Sequence, residues 1–272
     1  MSPTIPRMTT LAVQMYTVRD LVKDADGFAK TLEKISKIGY PAVQLSAVGA
    51  MNGDSPEVDA AGARKLLDDN GLKCIATHRP WERLRDHLEE EIEFHQTLGC
   101  DFTAIGGLPK DQRGSIEDYR RFVAEATPVI AKLKEAGLKF GYHNHAYEFA
   151  PGDQPRQTRY DVFVDEADPD LWLLELDVYW CQHAGVNAQR LFERCTGRVP
   201  VIHVKDKEVV EDQPVIGAIG EGTFDWEHII PSGNAAGVQW WAVEQDVCRR
   251  DPVDCLQASY DYLTKMGLKG RG

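Results

Sequence analysis

Glycine punctuation constrains this chain more than any other feature. Polar segments of helical periodicity end in Gly and pass at once into β-rich apolar runs: "KIGYPAVQL", "DNGLKCIAT", "TLGCDFTAI", "EAGLKFGYH", "CTGRVPVIHV" and "AAGVQWWAV". Each reads as a helix stopped by a Gly at its C-cap, with a strand starting immediately after it. These glycines are Gly39, Gly71, Gly99, Gly137, Gly197 and Gly237, at intervals of 32, 28, 38, 60 and 40 residues. The interval of 60 holds one more unit, because "DEADPDLWLLELDVYW" ends a helix at Asp168-Pro169 and opens a strand near Leu171. With the initial run "LAVQMY", this predicts eight strands, near residues 10–16, 41–46, 71–78, 101–106, 138–145, 171–177, 199–204 and 238–244.

The intervening segments carry the matching helical period. Leu84, Leu88, Ile92, His95 and Leu98 recur at steps of three or four, as do Phe122, Ala126, Val129 and Leu133, with Pro128 expected to kink the latter helix. Eight βα units of about 30 residues describe an α/β fold, a single (β/α)8 barrel. We expect one domain over residues 1–272 with a short flexible N-terminus at 1–9. The competing doubly wound sheet usually carries a Gly-rich phosphate turn after its first strand, and "VQMYTVRDL" has none.

Bulk chemistry narrows the partners. Lys+Arg total 31 against 43 Asp+Glu, a net charge of −12 without a basic run, which disfavours a nucleic-acid partner. No stretch approaches the ~18 unbroken apolar residues of a membrane span, and "MSPTIPRMTT" lacks a signal-peptide core. The sequence therefore reads as cytoplasmic, with no membrane partner, and it leaves a homo-oligomer open. Six cysteines without a CxxC pair read as reduced, buried thiols.

Barrel enzymes place their chemistry where strands end, and the predicted strand ends here are polar. The first strand ends in Gln14 and Tyr16, the third in His78, and the fifth in His143, Asn144 and His145 with Glu148 beyond. The sixth ends in Asp177, the seventh in His203 and Lys205, and the eighth in Glu244 and Asp246. Glu148, Asp177, His203 and Glu244 come from four consecutive units, whose strands are neighbours in a barrel. Three carboxylates and an imidazole brought together repel one another and lose hydration unless a cation joins them. A divalent metal is the expected cofactor. The ligand types favour Mn2+ or Mg2+, with Co2+ and Zn2+ admitted by the histidine.

"VQMYTVRD", "YHNHAYEF", "LDVYW", "HVKD", "GEGTFDW" and "VEQD" together resemble the xylose isomerase-like TIM-barrel superfamily. Within it, the likeness is to the sugar phosphate isomerase/epimerase and inosose dehydratase group, over essentially the whole chain. The resemblance implies a divalent metal held by Glu148, Asp177, His203 and Glu244. It departs at the fifth strand, where many epimerases carry a Glu before the Asn and this chain has Gly141-Tyr142, so either Glu148 or His145 completes the shell.

The implied substrate is a small-molecule sugar or cyclitol. A metal-bound pair of oxygens acidifies the adjacent C–H, and carboxylates move the proton through an enediolate. Glu148 and Glu244 are the expected catalytic bases. His145 is the expected acid if a hydroxide departs, and Lys205 is expected to neutralise the enediolate. His78, His143, Tyr16, Trp180 and Glu221 are expected to bind substrate. Isomerisation or epimerisation is the leading expectation. Dehydration of a ketosugar, inosose or 3-keto-glycoside is the alternative, and a non-catalytic sugar-binding subunit is a third. Little Arg near the last strands points to an unphosphorylated substrate.

Overall fold

A computed structural model describes residues 9–271; the expected flexible tail lies, apart from Thr9, outside the described residues. Eight parallel strands close a barrel: β1 (Thr10–Gln14), β2 (Ala42–Leu45), β3 (Lys73–His78), β4 (Phe102–Ile105), β5 (Lys139–His143), β6 (Trp172–Asp177), β7 (Val201–Val204) and β10 (Trp240–Val243). Around the barrel they run β1-β10-β7-β6-β5-β4-β3-β2, so each strand pairs with its chain neighbour and β1 closes on β10. Between β7 and β10 stands a hairpin that the helix-strand punctuation does not announce, β8 (Asp206–Val210) and β9 (Gln213–Gly217). Its two-residue turn places Glu211 and Asp212 at φ 49° and 60°, the left-handed pair of a type I′ turn.

The punctuating glycines behave as expected. All six have positive φ, from 59° at Gly71 to 115° at Gly39, a region in which a Cβ is strained. Helix α1 (Ala25–Ile38) shows the complete pattern: Asp24 accepts from the Gly27 N–H at its start, and Gly39 ends it in a left-handed turn. Pro128 lies within a helix spanning Ile116–Glu135, which continues through it.

Alternation along the strands divides two cores. Outward residues pack against the helices through edge-on aromatic contacts; Trp172, for example, meets Phe122 at 5.7 Å and Phe140 at 5.4 Å between ring centroids. Inward residues fill the bore with small side chains, Ala12, Ala42, Ala76, Ala104 and Ala242, plugged by Phe102 and Val201. Room for Phe102 exists because β5 carries Gly141, where a Cβ would stand 2.5 Å from the ring's Cζ. Gly141→Ala is therefore expected to lower unfolding stability by about 1–3 kcal/mol through overpacking, read from urea denaturation.

Candidate active site

Above that apolar floor the inward positions turn polar, whereas the inner layers of such barrels are ordinarily filled by branched apolar side chains. Gln14, Gln44, His143, Glu175 and His203 are buried, and His78 is largely so. Two residues further along their strands, Asp177, Lys205 and Glu244 form a second tier. The period of two puts Glu175 and Asp177 on the same face of β6, and His203 and Lys205 on the same face at the end of β7.

The lower tier is a hydrogen-bonded network around Glu175. Gln44 Nε2 donates to Glu175 Oε1 at 2.7 Å, and His78 Nε2 bonds Glu175 Oε2. His203 Nε2 lies 3.3 Å and His143 Nδ1 3.6 Å from the same Oε2. His203 Nε2 donates to Gln44 Oε1 at 2.8 Å and Nδ1 to Glu244 Oε2 at 3.0 Å, so both ring nitrogens meet acceptors. Burial opposes charge on this ring, but Glu175 and Glu244 overcome it and hold the imidazole up to about 9. His143 differs: burial and the cationic neighbourhood of His203 push it well down, and its Nδ1 has no hydrogen-bond partner.

The upper tier is organised by a lysine. Lys205 is fully buried, and its Nζ lies 2.8 Å from Asp177 Oδ2, 2.6 Å from Glu244 Oε2 and 2.9 Å from Asp246 Oδ2. Desolvation works against the ammonium, yet the three carboxylates hold it well above its ordinary range, so it stays charged. In return, burial of Glu244 is outweighed by Lys205 and His203, which keep its carboxylate ionised. Asp206, the next residue along the chain, accepts from Trp226 Nε1 at 2.8 Å and from the Gly220 and Phe224 N–H groups. It thereby pins the "GEGTFDW" loop. Gly222 is required there, since a Cβ would stand 2.2 Å from Asp206 Oδ1.

A cavity of about 260 Å³ opens over both tiers, lined by Gln14, Tyr16, His78, His143, His145, Glu244 and Asp246 among others. His145 contributes an unpartnered Nδ1, and burial together with Lys205 lowers its imidazole to about 4, leaving it neutral near pH 7. Trp180 stands beside it, 5.7 Å between ring centroids, with Lys205 Nζ 5.7 Å from the indole centroid.

Two expected site residues lie elsewhere. Glu148 does not join the carboxylate cluster. The strand ends at His143, and a short 3-10 turn, Tyr147–Phe149, carries Glu148 back over the outward face of β5. There it accepts from Tyr142 Oη at 2.9 Å and from the His145 N–H at 2.8 Å, while burial raises it to about 7. This geometry makes Glu148 a clamp on the turn that presents His145 and sets it apart from the Asp177, His203 and Glu244 side chains. Glu221 is exposed and paired with Arg250 outside the cavity. Conversely, sequence reasoning passed over Glu175. Its signal was available: a carboxylate between Leu174 and Leu176, in phase with Asp177.

Two sets of donors lie close enough to share a cation, Asp177, His203 and Glu244, and His78, His143, Glu175 and His203, each with ligand atoms within 4.8 Å of one another. The residues fit a divalent ion on two further grounds. Glu175, Asp177, Glu244 and Asp246 outnumber the two cations among them, the Lys205 ammonium and the His203 imidazolium, and the His143 Nδ1 is buried without a hydrogen-bond partner.

Fold and site thus define a parallel barrel with a polar, titratable cavity at the carboxyl ends of its strands. Residues 32–266 match the sequence profile of the xylose isomerase-like TIM barrels, and the chain belongs to that family. Inosose dehydratase of Clostridium perfringens is 21% identical over 224 residues, covering 71% of this chain and 74% of that protein. Among solved structures, a sugar phosphate isomerase/epimerase from Parabacteroides distasonis superposes with TM-score 0.79 at 21% identity, covering 99% of this chain and 98% of that one. The IOLI protein, solved with a bound zinc atom, superposes with TM-score 0.68 at 15% identity, covering 94% and 97%. No helix among the described residues is long and apolar enough to cross a membrane.

Proposed function

We propose that the chain is a divalent-metal-dependent sugar isomerase or epimerase that moves a proton next to a carbonyl. The observation that carries this reading is the pairing, across one cavity, of an ionised carboxylate at Glu244 with an unprotonated imidazole at His145. They come from the ends of β10 and β5, which are three strands apart around the barrel, and so approach a bound sugar from different sides. Either group takes a proton from the carbon beside a carbonyl and, once protonated, returns it. Lys205 stays an ammonium throughout and stabilises the negative charge of the enediolate without titrating. Tyr16 and Trp180 supply aromatic walls, and Gln14 a hydrogen-bonding edge, for the sugar ring. A divalent ion, held by side chains of the His78–His143–Glu175–His203 or Asp177–His203–Glu244 sets, supplies Lewis acidity toward the carbonyl oxygen.

Elimination is the second reading, favoured by the likeness to inosose dehydratase and by the initial state of the two groups. Both begin as proton acceptors, so one removes the α-proton and, protonated by that step, gives the same proton to the departing β-hydroxyl, which leaves as water. Among the described residues no arginine or lysine lines the cavity wall, while Glu244 and Asp246 do, and Lys205 lies buried beneath it with its charge balanced by carboxylates, so an unphosphorylated ketosugar or ketocyclitol is the substrate this electrostatic setting favours.

The deciding experiment incubates the metal-supplemented protein in D2O with a panel of unphosphorylated ketosugars and inososes, followed by NMR. Deuterium is expected at the carbon beside the carbonyl. A new diastereomer or aldose identifies isomerase chemistry, and loss of water identifies the lyase. Absence of exchange with every panel member removes the proton-transfer reading and leaves a sugar-binding role.

A further inference from the structure

We infer that the metal ion of this barrel sits one tier deeper than the Asp177–Glu244 pair, on His78, His143, Glu175 and His203, because Lys205 Nζ already occupies the cation position of the upper tier. The inference rests on the reading above only in supposing that a divalent ion belongs in the barrel.

The upper tier already surrounds a cation, the Lys205 ammonium. Its carboxylates surround Nζ at 2.6–2.9 Å, the spacing of charge-assisted hydrogen bonds, and an ion placed among Asp177, His203 and Glu244 would have to expel a buried ammonium. Coulomb repulsion between Nζ and a dication a few ångströms away opposes sharing that space.

The lower tier carries the marks of an unfilled ligand set. His143 is 4% exposed, its Nδ1 has no hydrogen-bond partner, and that atom lies 3.6 Å from Glu175 Oε2. His203 Nε2 lies 3.3 Å from the same oxygen. Two donors each about 2.1 Å from one ion stand about 3.0–3.4 Å apart at octahedral or tetrahedral angles, so these separations need only small adjustment. His78 Nε2 completes a group whose atoms are all within 4.8 Å of one another.

The surroundings orient the ligands. His203 directs Nδ1 at Glu244 Oε2, 3.0 Å away, which leaves Nε2 as the coordinating atom in the carboxylate–histidine–metal pattern. Gln44 Nε2 fixes the other oxygen of Glu175 at 2.7 Å. The contacts the ion displaces are the His203 Nε2–Gln44 Oε1 hydrogen bond and the His78–Glu175 bond, with release of the ring protons that make them. His78 and His143 also line the cavity, so an ion on them stays within reach of a bound sugar. Three imidazoles and one carboxylate are a borderline donor set, which selects Zn2+, Co2+ or Fe2+ over Mg2+ and Mn2+.

The test reads metal binding, independently of turnover. The chelator-treated full-length protein is titrated with Co2+, following d–d absorption, and metal retained after gel filtration is counted by mass spectrometry. The expected result is one Co2+ per chain, unaffected by excess Mg2+. His143→Ala and Glu175→Gln each are expected to weaken binding at least tenfold, while Asp177→Asn and Glu244→Gln retain it within about threefold. Because Glu175 is buried, His78→Ala, at a partly exposed strand end, provides a further ligand variant, and circular dichroism establishes that each variant is folded. Loss of Co2+ in Asp177→Asn with retention in the histidine variants overturns the assignment, as does the absence of any stoichiometric site. Failure of proton exchange with sugars would overturn the enzymatic reading and leave this one standing.

Discussion

Lys205→Met is expected to destabilise the protein by about 3–5 kcal/mol and to reduce turnover below detection. The methionine keeps most of the side-chain volume, so the effect isolates the charge. Removing one partner from a buried ionic cluster leaves the others uncompensated in a low-dielectric site, which costs far more than an exposed ion pair contributes. Here the abandoned groups are Asp177, Glu244 and Asp246, all within 2.9 Å of the lost Nζ. Urea denaturation of the chelator-treated protein measures the stability loss, and the carbonyl-dependent exchange assay measures the activity. Unchanged stability would mean that the three carboxylates do not depend on the lysine, and the upper tier would reopen as a cation site.

Glu244→Gln produces the opposite combination, a large catalytic loss with a small structural one. The amide oxygen still accepts from Lys205 and His203, and the substituted side chain has the same shape, so melting is expected to shift little. Turnover and deuterium wash-in are expected to fall together by about 10²–10⁴-fold, the usual contribution of a positioned proton-transfer group. A parallel fall in both places the carboxylate at proton transfer itself. A variant that exchanges deuterium at the original rate shows that His145 acts alone, and Glu244 then serves only to hold Lys205 and His203.

The barrel was legible because its signals are local. A glycine C-cap requires a positive φ whatever surrounds it, and a strand following a helix by one residue can be read from apolar and β-branched runs. The same locality placed Asp177, His203, Lys205 and Glu244 at strand ends, and the structure brings them together. The hairpin Asp206–Gly217 escaped because it interrupts the punctuation without a helix of its own. Glu148 was misplaced for a geometric reason: the fifth strand ends at His143, two residues before the expected end, so the next turn takes the carboxylate behind the strand instead of into the bore. Glu221 looked like a loop residue poised over the site, but Arg250, from the segment after β10, draws it away.

What the sequence determined by itself was the order of eight βα units and the chemical character of the strand ends, since both depend on spacing and backbone preference along the chain. Only the tertiary structure decided which carboxylates meet. Glu175 joins three histidines because it faces the bore directly opposite His143 of β5, where the inward side chains of His78 and His203 also converge. Lys205 Nζ meets Asp177, Glu244 and Asp246 because the ends of β6, β7 and β10 converge there. Strand length sets how far each side chain advances around and along the barrel, and that quantity exists only once the sheet has closed.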